Sequence, residues 1–185
     1  METIPIIFDI GSSSCKIGFS RDQNPKKFLS IVGKVSKSLT KDMQFQGNDK
    51  KVAIGGEVKA GFHDLNYPIK NGDIKSWEDL QTLFEHGFHQ LLGKEELQNQ
   101  SIVLTDSIHC LPNSRKRLAE MMFETFNASY FYIDHQPFFS LFSKPEKSAG
   151  IVIEIGDGLT QILPCIGGYP LRKGMMKFPF AGEVI

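Results

Sequence analysis

An α/β fold with a mixed sheet and flanking helices follows from the order of apolar patterns along this chain. Short apolar runs that read as strands precede segments with helical spacing, and that order occurs twice. The two occurrences begin alike. The segment Ile151-Val-Ile-Glu154-Ile-Gly156-Asp157-Gly158-Leu-Thr160-Gln161-Ile162 lines up without gaps on Ile6-Ile-Phe-Asp9-Ile-Gly11-Ser12-Ser13-Ser-Cys15-Lys16-Ile17, at a constant offset (154 − 9 = 145). Two strand–acid–Ile–Gly–turn–strand units imply a duplicated architecture with two hairpins that face phosphate.

The first hairpin occupies residues 4–20. Ile4, Ile6, Ile7 and Phe8 form the near-continuous apolar run of a buried strand, which ends in Asp9-Ile10-Gly11 and three serines before a second strand at 15–19. A turn of Gly11, Ser12 and Ser13 bares successive backbone N–H groups and can cup an anion such as phosphate. Lys16 adds a point charge, and Asp9 can hold water around a divalent cation. An ordinary hairpin with a polar tip has the same pattern.

Residues 28–33 read as a further strand. From 34 to 64 the composition turns polar, with lysines, serines, Asp42 and Asn48-Asp49 around a lone strand at 51–55, so this stretch reads as a small inserted subdomain with a mobile tip near 41–50. Tyr67-Pro68-Ile69 and the Asn71-Gly72 turn bring the chain back. Ser76-Trp-Glu-Asp79 is a cap-like start, and Leu80, Leu83, Phe84, Phe88 and Leu91 follow at helical spacing up to Gly93. Residues 101–105 form a strand. Residues 112–126 form a helix that buries Leu118, Met121, Met122 and Phe126. Arg115, Lys116 and Arg117 fall in its first turn, where the helix dipole disfavours cations, and they read as a contact patch for a partner or as a solvated face. Residues 131–133 are a strand, Pro137 opens a short helix at its first position through Phe142, and 144–148 is a linker. After the second hairpin, Gly167-Gly168 makes a turn and 169–177 pairs back.

A chain of 185 residues makes one domain, or one and a fraction, and 41% hydrophobic residues suffice for a core. Lysine plus arginine equals aspartate plus glutamate at 21 each, so no bulk charge recruits nucleic acid or an acidic membrane. Met1-Glu2-Thr3 lacks the basic start of a signal peptide, and no apolar run reaches the roughly 18 residues of a membrane helix, so a soluble intracellular protein is expected. Cys15, Cys110 and Cys165 are odd in number and widely separated, which argues against a disulfide framework or a zinc site. His86 and His89 sit at helical spacing with no third ligand nearby and read as a helix surface. His109 and His135 have no partner evident in sequence. Asn127-Ala128-Ser129 matches a glycosylation sequon that a cytosolic chain would not present.

Tyr67-Pro-Ile-Lys-Asn-Gly72 with Trp77-Glu-Asp, Phe123-Glu-Thr-Phe-Asn127, Ser30-Ile-Val-Gly33, Cys15-Lys16-Ile-Gly18-Phe19 and Gly156-Asp-Gly158 resemble the amino-terminal half of actin and actin-related proteins. The resemblance runs from Ile4 to Gly182. It implies the actin-like ATPase fold, of ribonuclease-H-like type, with residues 1–33 and 65–145 as a first domain. Residues 34–64 would be a small inserted subdomain and 146–185 the start of a second domain. It implies ATP or ADP with Mg²⁺ as cofactor. Gly11, Ser12, Ser13 and Lys16 would hold the phosphates from one side, and Gly156, Asp157 and Gly158 from the other. Asp9 and Glu154 would organise hydrated Mg²⁺, and Gln136 with Glu154 the attacking water. That is phosphoryl transfer by positioning and charge neutralisation.

Several residues depart from the family pattern. Ser13 stands where the family has glycine, which costs roughly 1–2 kcal/mol if that backbone requires φ > 0. Glu154 replaces an aspartate, Ile10 a polar residue and Ile155 a small one, and Pro137 is expected to bias Gln136 away from helical geometry. The stretch from Lys41 to Lys51 has Met43 and Phe45 among charges in place of an apolar tip, and the sequence stops at Ile185, where the family continues for about as many residues again. These features imply a structural subunit of a larger cytoskeletal or other multiprotein assembly with weak or no nucleotide turnover, partnered by proteins such as actin or actin-related subunits. Cytoplasm and cytoskeleton are the implied location, with the nucleus as alternative. The competing reading is a working Mg·ATP-binding relative that polymerises or hydrolyses slowly. Sugar kinases and heat-shock chaperones share the two-hairpin plan, but the tyrosine–proline and phenylalanine–glutamate motifs favour actin.

Overall fold

The structure, a computed structural model, describes residues 4–34, 52–58, 64–93, 99–143 and 149–183. The polar tip expected at 41–50 and the linker expected at 144–148 lie outside the described residues. Three strands open the chain as an antiparallel meander: β1 (Ile6–Ile10), β2 (Ser14–Phe19) and β3 (Lys26–Leu29). Alternation in β1 buries Ile6, Phe8 and Ile10 on one face.

The single strand expected over 28–33 is in fact two. Ser30 is fully buried, its N–H donates to Ser13 O at 2.9 Å and its hydroxyl to Gly11 O at 2.7 Å, so the backbone breaks from the ladder there. It resumes as β4 (Val32–Lys34), the middle strand of a small separate sheet with β5 (Val52–Ile54) and β6 (Asp64–Asn66). A short hairpin, β7 (Ile69–Lys70) and β8 (Asp73–Ile74), turns at Asn71-Gly72 with both residues at positive φ.

Helix α1 (Trp77–Leu92) runs between the expected caps. Ser76 Oγ accepts from the Asp79 N–H at 3.3 Å, and Gly93 closes the helix at φ 68°. Its buried face carries Leu80, Leu83, Phe84 and Phe88 onto β1, where the Phe8 ring meets Phe84, Phe88 and Phe28 edge-on with centroids 4.9–6.2 Å away. Gly87 permits this approach, because a β-carbon there would lie 2.6 Å from the Phe8 ring. Strand β9 (Ser101–Asp106) then inserts parallel to β1, with Ile6 opposite Ile102.

The helix expected over 112–126 is α-helical only as α2 (Pro112–Glu120); Met121–Thr125 forms a π turn, which Asn127 ends at φ 51°. Leu118, Met121, Met122 and Phe126 are buried as their spacing implied. The basic trio is not a simple solvated face, because each member has a partner within the chain. Arg115 pairs with Asp106, Arg117 stacks 4.5 Å above the Trp77 ring, and Lys116 pairs with Glu120. Strand β10 (Tyr130–His135) pairs parallel to β9 and completes the mixed five-stranded sheet, ordered β10-β9-β1-β2-β3.

Helix α3 (Gln136–Phe142) leaves β10 directly. A second sheet follows, with β11 (Gly150–Ile155) against β12 (Thr160–Ile166), flanked by β13 (Tyr169–Pro170) and β14 (Met176–Phe178). The return strand expected over 169–177 is therefore divided. Pro170 has no N–H for the ladder, and a 3₁₀ turn at Arg172–Gly174 intervenes. The inner face of this sheet packs Val152, Leu163 and Cys165 on Ile108, Phe138 and Leu141, while Ile151, Ile153 and Ile155 stay 61–68% exposed on the outer face. No helix among the described residues is long and apolar enough to cross a membrane.

Candidate functional site

The two hairpins that match in sequence also match in register. Asp9 lies opposite Lys16 and Ile10 opposite Cys15, just as Glu154 lies opposite Gln161 and Ile155 opposite Thr160. Each turn closes with the same bond, from the Gly11 N–H to Ser14 O at 3.2 Å and from the Gly156 N–H to Leu159 O at 2.9 Å. Glycine is required at the first of these by closeness, since a β-carbon on Gly11 would stand 2.8 Å from Ser14 O. Positive φ outside glycine occurs, among the described residues, at Asn71, Asn99, His109 and Asn127. Ser13 is not among them, so the backbone cost expected of a non-glycine residue there does not arise.

The hairpins face one cavity of about 900 Å³, lined from one side by Asp9, Gly11, Ser12, Ser13 and Lys16, and from the other by Glu154, Gly156, Asp157 and Gly158, with Gln136 also on its wall. All ten residues singled out from the sequence thus share one cleft. Their tips nearly touch: a β-carbon on Gly158 would fall 2.9 Å from Asn71 Oδ1 and 3.3 Å from Ser12 Oγ. The β7–β8 turn wedges in beside them. Ser107 Oγ donates to Gly72 O at 2.7 Å, and a β-carbon on Gly72 would meet Leu159 at 2.7 Å.

A chain of polar contacts spans the cleft. Asp9 takes Lys16 Nζ at 3.1 Å on Oδ2, and on Oδ1 it accepts from Thr105 Oγ1 at 2.6 Å and Gln136 Nε2 at 3.0 Å. Gln136 also donates to Ile10 O at 2.9 Å, and its Oε1 accepts from Gln161 Nε2 at 2.9 Å. Gln161 in turn accepts the Ile108 N–H at 2.6 Å. Contrary to the expectation from sequence, Pro137 does not keep Gln136 out of the helix. Gln136 is the first residue of α3, because these tertiary bonds outweigh the local bias of a residue before proline. Glu154 receives a hydrogen bond from the Ser140 hydroxyl of α3. Burial, reinforced by the charge of Asp9, raises its carboxyl above the ordinary value against the opposing pull of Ser140 and Lys16.

The model of the actin family matches residues 1–185, the whole sequence. The chain belongs to the actin family. Its mixed α/β architecture is actin-like, and the paired hairpins are the part of that fold which builds the cleft.

Sequence reading missed several residues of this actin-family cleft. Gln161 is 4% exposed and joins the hairpins, and its signal was available, because the 145-residue offset places it on Lys16. Thr105 and Ser140 carried no sequence signal. Nor did Asp106, 3% exposed, which takes Arg115 through two bonds of 2.6 and 2.8 Å and His135 Nδ1 at 3.0 Å. Burial pushes the Asp106 carboxyl up, but the His135 and Arg115 hydrogen bonds outweigh it and hold the carboxyl below its usual range. This cluster anchors the turn that carries Ser107 and Ile108. His86 bonds Gln90 at 2.8 Å on α1 and meets the Phe28 ring edge-on, in keeping with a helix surface.

Proposed function

We propose that this actin-family chain is a structural subunit of a larger protein assembly whose cleft holds Mg·ATP or Mg·ADP by its phosphates and turns it over slowly. The observation that carries the reading is the pair of register-matched hairpins on one 900 Å³ cavity. Ser12 and Ser13 from one tip and Asp157 and Gly158 from the other would direct backbone N–H groups at the phosphates, Gly11 and Gly156 closing the turns that present them, with Lys16 as the neutralising cation. The donor set suits Mg²⁺, a cation that keeps several waters and takes one or two carboxylates together with substrate phosphates. Asp9 and Glu154 would hold it through water. When bound, it supplies charge neutralisation at the transferring phosphoryl group.

Slow turnover is the expectation because Gln136, which would orient the water, spends both ends of its amide on Asp9, Ile10 and Gln161. The role in an assembly is supported by the outer face of the second sheet, where Ile151, Ile153, Ile155 and Phe178 are 40–68% exposed. The division into residues 1–33 with 65–145, an insert at 34–64, and a second unit from 146 is supported by the three separate sheets β10-β9-β1-β2-β3, β5-β4-β6 and β11-β12-β13. Cytoplasm and cytoskeleton, or the nucleus, are the compartments such a subunit would occupy.

The test is fluorescence titration with a labelled ATP, with and without Mg²⁺, on the chain and on Lys16→Ala. Micromolar Mg-dependent affinity that falls roughly tenfold or more in Lys16→Ala supports the reading. Affinity indifferent to Lys16 and to Mg²⁺ overturns it.

A further inference from the structure

Helix α3 touches both sides of the cleft. Gln136 and Ser140 are four residues apart, so they share one face of the helix. Gln136 meets the first hairpin at Asp9 and Ile10, while the Ser140 hydroxyl donates to Glu154 Oε1 on the second. Both residues line the cavity, together with Glu154. The resemblance placed an aspartate at position 154 in the family. Glutamate carries one more freely turning bond than that aspartate, so its carboxylate sweeps a wider arc unless something fixes it. A single neutral hydroxyl on α3 does this at Oε1 and leaves Oε2 without a hydrogen bond among the described residues.

We propose that Ser140 is a positioning residue for ATP hydrolysis, aiming the free oxygen of Glu154 at the attacking water. The inference rests on the Mg·ATP reading above. In the step concerned, the water oxygen bonds to the γ-phosphorus. The bond from that phosphorus to the oxygen bridging to the β-phosphate breaks, and its electron pair stays on ADP. The water proton passes to Glu154, giving ADP and inorganic phosphate. Ser140 takes no part in bond making. It fixes the acceptor, and a misplacement near 1 Å at such a group costs on the order of 10²-fold in rate.

The experiment is a double-mutant cycle on the full chain, with labelled-ATP affinity and single-turnover hydrolysis measured for the parent, S140A, S140T, E154Q and S140A/E154Q. Expected is unchanged Mg·ATP affinity in S140A with hydrolysis slowed roughly 10- to 100-fold, a rate largely restored in S140T, and no further loss when S140A is added to E154Q. Additive losses in the double variant, or an unaltered rate in S140A, overturn the assignment. So does a parent that binds Mg·ATP without hydrolysing it, and that result leaves the nucleotide reading standing. Absence of Mg·ATP binding in the parent overturns both.

Discussion

The close approach at Gly11 makes a sharp prediction at the scale of one residue. Gly11→Ala puts a methyl 2.8 Å from a backbone oxygen that cannot swing away, so the hairpin turn must open. The expected loss is about 1–3 kcal/mol by urea titration, together with weaker labelled-ATP binding. Asp106 gives a second prediction. Removing its charge in Asp106→Asn leaves the partly buried Arg115 without its bidentate partner, and since that guanidinium is one-third exposed the cost is discounted to about 2 kcal/mol. The pH dependence has a definite sign. A carboxyl whose folded pKa lies below the unfolded 3.8 contributes stability that is present above that value and is lost as pH falls through the folded pKa. Acid titration of Asp106→Asn therefore lacks a component that the parent shows below pH 3.8. Nine of the ten candidate cleft residues were legible because two copies of one pattern repeat in sequence, whereas Gln136 lies outside both copies and was implied by the family resemblance. Asp106 was not legible, because its partners lie 9 and 29 residues away and nothing local marks them.

At the scale of elements, Gly87 sets two physical effects against each other. Alanine raises helix propensity by about 1 kcal/mol over glycine. In α1, however, its methyl would enter the Phe8 ring at 2.6 Å and approach Phe28 at 3.2 Å. Overpacking wins, and Gly87→Ala is expected to lower stability by about 1–2 kcal/mol in thermal or urea unfolding. Helix α1 and both hairpins were readable because cap, period and closing glycine agreed with one another. The division of 28–33 at Ser30 was not readable, because it depends on Gly11 and Ser13 waiting across space for the Ser30 hydroxyl and N–H. The π turn after α2, which buries Met121 and Met122, likewise has no local breaker to announce it.

At the scale of the molecule, the two sheets are dressed differently. The first is backed by α1 and holds the large aromatic core, whereas the second buries one face and leaves the other apolar and open among the described residues. The isolated chain is expected to bind a hydrophobic dye and to sediment faster as concentration rises. Ile153→Lys, placed where the side chain is 61% exposed, should reduce both while changing stability by less than about 0.5 kcal/mol. The parallel docking of β9 on β1 also sets a timetable for synthesis. Ile6 leaves the ribosome long before Ile102, its partner, has been translated. Until then the nascent meander β1-β2-β3 travels with one flank unzipped, a template that any passing strand could copy. The interval between those two codons is the stretch in which slower decoding, or a shortage of chaperone, would be felt most.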